Sequence, residues 1–523
     1  MLKHSLILLW LSIAYAPINL FSQLNLHQIG HLPYAPNTLA GCKAHVDGNG
    51  GEWALVGTSA GLSIVDLSNP AQPIERFSVP GLPNNWREVR TWNGFAYVGS
   101  EAVGSGITIV DLRELPDTVH WKVWLGDMNY DSLVQRSHTV QAVDGYLYIF
   151  GGGNVTNGCV IADLSDPWNP HIIGKYTLNY AHDGFIRGDT LWTSEIYLGQ
   201  FAAVDISDKT DPQLIVTHPT PGAFNHNSEL SDDNKTLFTT DEKANAPLAS
   251  FDVSDLENIT LLDRYFPSQK PSAEVHNVRV KGNYLVNPSY GGQLTIVDAT
   301  KPDNLIETAW AVVGTSLVWD ADPYLPSGII FATAKNEGLF IFQPTYHHAA
   351  WLEGLVTDSI TGLPLNNAKV FVQNTPNADT TGINGIYKTG AALPGAYTVA
   401  VEKSGYHSKT IQNVVLDTGQ VTLLHVELVP MVVGTQNIDA EKSIHVSPTL
   451  FSDRVTVEVA PENLFSGSGT VVRLIDFSGK IVFEKTADGE RKVLENLQHL
   501  PAGAYIVQLQ NGKNISQPIR VVK

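Results

Sequence analysis

Gly61-Leu62-Ser63-Ile64-Val65-Asp66-Leu67-Ser68-Asn69-Pro70 decides how this 523-residue chain is read, because versions of it return through the first two thirds of the sequence. Later copies are Gly106-Ile107-Thr108-Ile109-Val110-Asp111, Gly158-Cys159-Val160-Ile161-Ala162-Asp163, Phe201-Ala202-Ala203-Val204-Asp205, Leu248-Ala249-Ser250-Phe251-Asp252 and Leu294-Thr295-Ile296-Val297-Asp298. A degenerate seventh, Gly338-Leu339-Phe340-Ile341-Phe342-Gln343, closes the series. The aligned Asp positions lie 45, 52, 42, 47 and 46 residues apart, with 45 more to Gln343. That is the period of a four-stranded propeller blade and is too long for a leucine-rich repeat. The count predicts seven blades.

Each copy is a β-branched run that ends on Asp and breaks into Ser, Asn, Asp or Pro, which reads as a buried strand followed by a turn. Six near-identical aspartates in one chain point to a shared structural role. The carboxylate is expected to accept a backbone N–H two residues on, as in an Asx turn. Upstream of each copy comes an aromatic and aliphatic strand, such as Phe95-Ala96-Tyr97-Val98 or Tyr146-Leu147-Tyr148-Ile149, that pairs with the Asp strand as a hairpin.

A further strand precedes that one, and five of these earlier segments carry a histidine: His45, His138, His182, His226 and His276. The second and seventh units have Trp86-Arg87-Glu88 and Val318-Trp319-Asp320 instead. If a blade begins with its innermost strand, the histidines stand around one mouth of the central channel. One reading is structural, with each ring N–H bonding a carbonyl of the neighbouring blade. The other is a divalent-metal or anionic-ligand site, since neutral imidazoles are common metal ligands. Glu88, Asp183, Glu229, Glu274 and Asp320 lie near enough in sequence to add carboxylates or to hold the rings. Opposite blades stand too far apart for five bonds of about 2.0–2.1 Å to one ion. The expected minimum is therefore two histidines from neighbouring blades, His138 with His182 or His182 with His226, which makes His138, His182 and His226 the candidate ligands, with His45 and His276 as further candidates.

The start of the chain is an export signal by its pattern. Lys3 and His4 precede an apolar run from Leu6 to Ala16 that is too short to span a bilayer. A signal peptide is expected over residues 1–22, cut after Ala14-Tyr15-Ala16 or just before Gln23. No second apolar stretch reaches spanning length, so no transmembrane segment is expected in the mature chain. Charged residues make up 16% of the sequence, with 44 Gly and 29 Pro, which suits a large β-rich protein. A net charge of −19 supplies no basic stripe to neutralise phosphates and argues against nucleic acid. Cys42 and Cys159, the two cysteines, fall in different repeats, so no disulfide is expected between them.

On its copies the array resembles the LVIVD repeat, and over residues 24–345 it is similar to the choice-of-anchor B family of secreted bacterial proteins. After Pro344 the pattern changes. Strands and tight turns alternate over too few residues for another blade, which predicts a small β-sandwich over 349–430. Its Leu352-Glu353-Gly354-Leu355-Val356, Gly385-Ile386-Tyr387, Pro394-Gly395-Ala396-Tyr397 and Gly405-Tyr406 resemble the carboxypeptidase regulatory-like domain, which implies a non-catalytic module. The last segment, 440–523, reads as a second sandwich. Pro448, Gly479-Lys480 and Gly503-Ala504-Tyr505 resemble the C-terminal sorting domain of type IX secretion cargo, with Ser447-Pro448 where that family usually has Asn-Pro. The resemblance implies the type IX machinery as a partner, a Bacteroidetes-type source, and a secreted or outer-membrane surface location.

The expected whole is an all-β protein: a seven-bladed propeller followed by two small sandwiches. No Ser-His-Asp elbow, HExxH motif or clean carboxylate pair is present. The leading expectation is a binding protein for an extracellular glycan or protein. The alternative is a polysaccharide hydrolase or lyase with its site at the channel mouth.

Overall fold

Every repeat copy becomes the third strand of an antiparallel sheet. The copy at Gly61–Asp66 pairs with Glu52–Thr58 on one side and Ile74–Pro80 on the other, and Leu39–Val46 lies beyond Glu52–Thr58. The same arrangement recurs around Ile107–Asp111, Cys159–Asp163, Gln200–Asp205, Leu248–Asp252, Gln293–Asp298 and Gly338–Pro344, giving seven such sheets among the described residues. The structure, a computed structural model, describes residues 23–127, 134–152, 158–315, 317–431, 444–461 and 464–523. The expected signal peptide at 1–22 lies outside the described residues.

Neighbouring sheets pack face to face, which is why the third strands are apolar on both sides. Trp53, Leu55 and Ile64 of the first blade share one core cluster with Val89, Val98 and Val110 of the second. First strands meet around the channel: Leu39–Val46 touches both Arg87–Trp92 and Val318–Asp322. Closure comes from the N-terminal end of the described chain. Leu26–Leu32 pairs with Gly338–Pro344 as the outer strand of the seventh sheet, and Gln23–Leu24 adds a fifth strand to the sixth.

All six repeat aspartates form the turn expected of them. Their Oδ1 atoms accept the N–H two residues on, from Ser68 (2.8 Å), Arg113 (3.1 Å), Ser165 (2.6 Å), Ser207 (2.8 Å), Ser254 (2.9 Å) and Thr300 (2.9 Å). The Ser207 N–H holds the Asp205 carboxyl below its ordinary range. Asp298 also works beyond its own turn. Its Oδ2 accepts the Ala349 N–H at 2.8 Å and so ties the sixth blade to the domain that follows. Around it, Trp351 Nε1 donates to Asn304 O (3.0 Å) and Asn304 Nδ2 to Thr389 O (3.1 Å).

That following domain is a sandwich of two sheets. One centres on Ala350–Asp358, the other on Lys369–Val372 and Gly395–Glu402, and Leu352, Val370, Tyr387 and Val401 fill the space between. Pro430–Lys523 is a separate unit. In it Thr470–Asp476 and Ile481–Ala487 form the hairpin expected around Gly479, whose φ of 82° suits the turn. Val455–Val459 and Ala504–Asn511 contribute Val457, Val507 and Leu509 to its core. Cys42 and Cys159 are buried free thiols. Among the described residues no helix is long and apolar enough to cross a membrane.

Candidate functional site: a histidine cluster at the channel mouth

Four of the five histidines meet. Each sits where a first strand begins, and bonds to the second strand set the backbone: His138 N–H to Phe150 O (2.9 Å), His182 N–H to Ser194 O (2.8 Å) and His276 N–H to Pro288 O (3.0 Å). His226 occupies a register shift in Asn225–Leu230. The rings follow one another around the mouth, with centroids 3.8 Å apart for His138 and His182, 4.4 Å for His182 and His226, and 4.1 Å for His226 and His276.

The other blades place different residues at this level. Trp319 lies 4.9 Å from the His276 ring, and its Nε1 donates to Glu88 Oε1 at 3.0 Å. The first blade contributes Gly41. A Cβ there would lie 2.1 Å from Glu88 Oε2, so only glycine leaves room for that carboxylate.

His45 corrects the sequence-based expectation. In the first sheet Leu39 stands opposite Thr58 and His45 opposite Trp53, so His45 lies at the end of its strand away from the mouth. Its charged neighbour is Asp47. Matching the blades by their histidines shifted this strand by four residues; register, which hydrogen bonding sets, puts Gly41 at the mouth.

Hydrogen bonding leaves nitrogen atoms facing inward. His138 Nδ1 pairs with Glu101 Oε1 at 2.5 Å, and His276 Nδ1 with Trp319 O at 2.5 Å. His182 bonds the His226 main chain, and His226 the His276 main chain. These are the neighbour-blade bonds of the structural reading. Yet His182 Nδ1, His226 Nδ1 and His276 Nε2 are buried without a hydrogen-bond partner. A neutral imidazole has one N–H and one lone pair. With the N–H committed to a neighbouring blade, the lone pair is left on the unpartnered nitrogen.

Burial favours the neutral form of three of the rings. Burial, and then the other histidines, push His182 well below the ordinary imidazole range. Burial likewise lowers His226 and His276. Glu88 moves the other way, pushed up to about 7 by burial and the Asp320 carboxylate. Donor atoms of His138, His182 and His226 lie within 4.8 Å of one another, as do those of His226, Glu242 and His276. The cavity that the four histidines line measures about 20 Å³. That is room for one water or one ion.

Of the carboxylates expected nearby, Glu88 and Asp183 line the histidine cavity, whereas Asp320 and Glu229 are engaged by other side chains. Asp183 accepts Asn227 Nδ2 (2.7 Å), and Asp320 accepts Arg279 Nη2 (2.7 Å) and Asn277 Nδ2 (3.0 Å). Glu229 takes the Tyr324 hydroxyl at 2.9 Å beside a second cavity of about 220 Å³ lined by Lys43, Arg90, Gln141 and Arg279. Glu101 and Glu242, which the sequence reading missed, are the carboxylates that reach the histidines. Both directly follow a second strand, Phe95–Ser100 and Thr236–Asp241, and Tyr290 and Lys335 hold that same place in other blades. That shared position was the available signal.

Aromatic side chains rim the mouth. Tyr290 stacks on His276 at 4.5 Å, and Lys335 Nζ lies 4.4 Å from the Trp319 ring and 5.1 Å from Trp86. Tyr180 lies 4.9 Å from Tyr197, which is 74% exposed.

Family models match three parts of the chain. The LVIVD repeat matches residues 50–80 and 136–178, the carboxypeptidase regulatory-like domain 352–429, and the secretion system C-terminal sorting domain 446–523. The chain carries a type IX sorting domain. That domain places the protein outside the cell or on its surface, and the LVIVD repeats build the propeller that is carried there. No curated protein matches the sequence. Among solved structures, a candidate 6-phosphogluconolactonase from Bacteroides uniformis aligns at 14% identity over 56% of this chain and 98% of its own, with a TM-score of 0.41. The computationally designed Ika8 protein aligns at 9% identity over 60% and 99%, with a TM-score of 0.42.

Proposed function

We propose that this secreted LVIVD-repeat protein is a binding protein that receives an extracellular glycan or protein at the propeller's channel mouth. The observation that carries the reading is the composition of that mouth. Trp86 (40% exposed) and Tyr197 (74% exposed) stand at its edge around partly unsatisfied buried polar groups. Rigid aromatic faces give large contact area at small entropic cost, and buried polar atoms reward a ligand that pairs with them. The regulatory-like domain, which falls between the propeller and the sorting domain in the sequence, serves as a spacer.

Probing glycan and protein arrays with the full mature chain tests the proposal. A ligand should be captured by the wild type and bound at least tenfold more weakly by a Trp86→Ala, Tyr197→Ala double variant. Equal capture by both would move the site elsewhere. A second reading, a polysaccharide hydrolase or lyase, is favoured by Glu88 alone, since a mouth carboxyl with a pKa of about 7 suits proton transfer near neutral pH. Release of reducing ends or unsaturated products from a polysaccharide panel would select that reading.

A further inference from the structure

We infer that the channel mouth binds one divalent transition-metal ion of the zinc, cobalt or copper class through His138, His182 and His226. Three independent features converge on this. The donor atoms of these histidines, from three successive blades, already lie within 4.8 Å of one another. His182 and His226 are 7% and 6% exposed, and each keeps a buried Nδ1 without a partner. The cavity they line, about 20 Å³, has room for one small ion.

The chemistry of the donors selects the ion. Imidazole suits zinc, copper, nickel and iron, whereas calcium and magnesium require oxygen ligands that this triad does not offer. The surrounding bonds supply what a metal site needs beyond its ligands. Glu101 holds His138 through Nδ1, and main-chain groups of the next blade hold His182 and His226, so orientation is fixed by the fold. Two nitrogens bound to one ion at about 2.0–2.1 Å stand roughly 3.4 Å apart, so binding draws the rings together by up to about 1.4 Å. Small side-chain rotations cover that distance. His138 and Glu101, whose side chains are 14% and 34% exposed, give the ion a path from solvent. The inference goes beyond the proposed ligand binding and does not depend on it.

Metal-free full-length protein titrated with Co²⁺ alone is the test. The expected result is one saturable site with the visible absorption of tetrahedral cobalt, weakened at least 100-fold in a His182→Ala, His226→Ala double variant and unchanged in His45→Ala. A cavity that holds only water gives no saturable binding in the wild type, and that result overturns the inference; so does equal binding by the double variant, or loss in His45→Ala. Should the double variant fail to fold, Cu²⁺ paramagnetic resonance of the wild type decides without it. Coupling to three imidazole nitrogens supports the triad, and coupling to fewer than two refutes it. Because metal alone is the probe, a negative result leaves the array outcome untouched.

Discussion

Glu88 joins three blades at the mouth: its own, the seventh through Trp319 Nε1, and the first through the space that Gly41 leaves open. Burial and the nearby Asp320 carboxylate raise its carboxyl from 4.5 to about 7. The sign of the consequence follows from proton linkage. Between those values the folded chain holds a proton that the unfolded chain has released, so the contribution to stability is full below about pH 4.5 and is lost as pH rises through 7. Glu88→Gln keeps an oxygen for Trp319 and removes the titration. The melting temperature of the wild type should therefore fall relative to Glu88→Gln between pH 5 and pH 8. Parallel curves would show that Glu88 titrates in its ordinary range.

At the scale of the element, the repeat strands are interchangeable in role but the ring needs one strand from outside the series. Leu26–Leu32 completes the seventh sheet against Gly338–Pro344, and Leu26 is 1% exposed in a cluster with Phe340 and Phe342. Without that strand the third strand of the blade is a bare edge, and Phe340 and Phe342 lose part of their cover. Removing residues 23–32 should lower the melting temperature by 10 °C or more and expose the seventh blade to protease. A truncated protein with unchanged melting and protease resistance would mean that closure rests on the packing of the blades alone.

At the scale of the molecule, the sorting domain acts as an address and the propeller as the part delivered. A chain ending at Asn437 should retain its propeller yet accumulate inside a type IX-competent host, while the full chain reaches the surface or the medium. Cell fractionation with immunoblotting reads this directly. Arrival of the truncated chain outside the cell would assign export to a different segment.

Repetition made much of this legible in the sequence itself. A strand that must be apolar on both faces, followed by a turn that needs a carboxylate, leaves the same residues every 45 or so positions, and both causes are local. Ser68, Ser207 and Thr300 lie two residues from their aspartates, so no folding was needed to foresee those bonds. The modules after the propeller were readable for the same reason, from turn residues and alternation. Three-dimensional packing decided what depends on register and on contact between blades. It placed Gly41 rather than His45 at the mouth, because hydrogen-bond pairing with Glu52–Thr58 sets the level of each residue and a histidine's own position in the sequence does not. It brought Glu101 to His138 across 37 residues and Glu242 to His276 across 34, since a group at the end of one blade's second strand reaches the first strand of the next. Closure by Leu26–Leu32 belongs here too, because it joins residues more than 300 positions apart that meet only when the ring is complete.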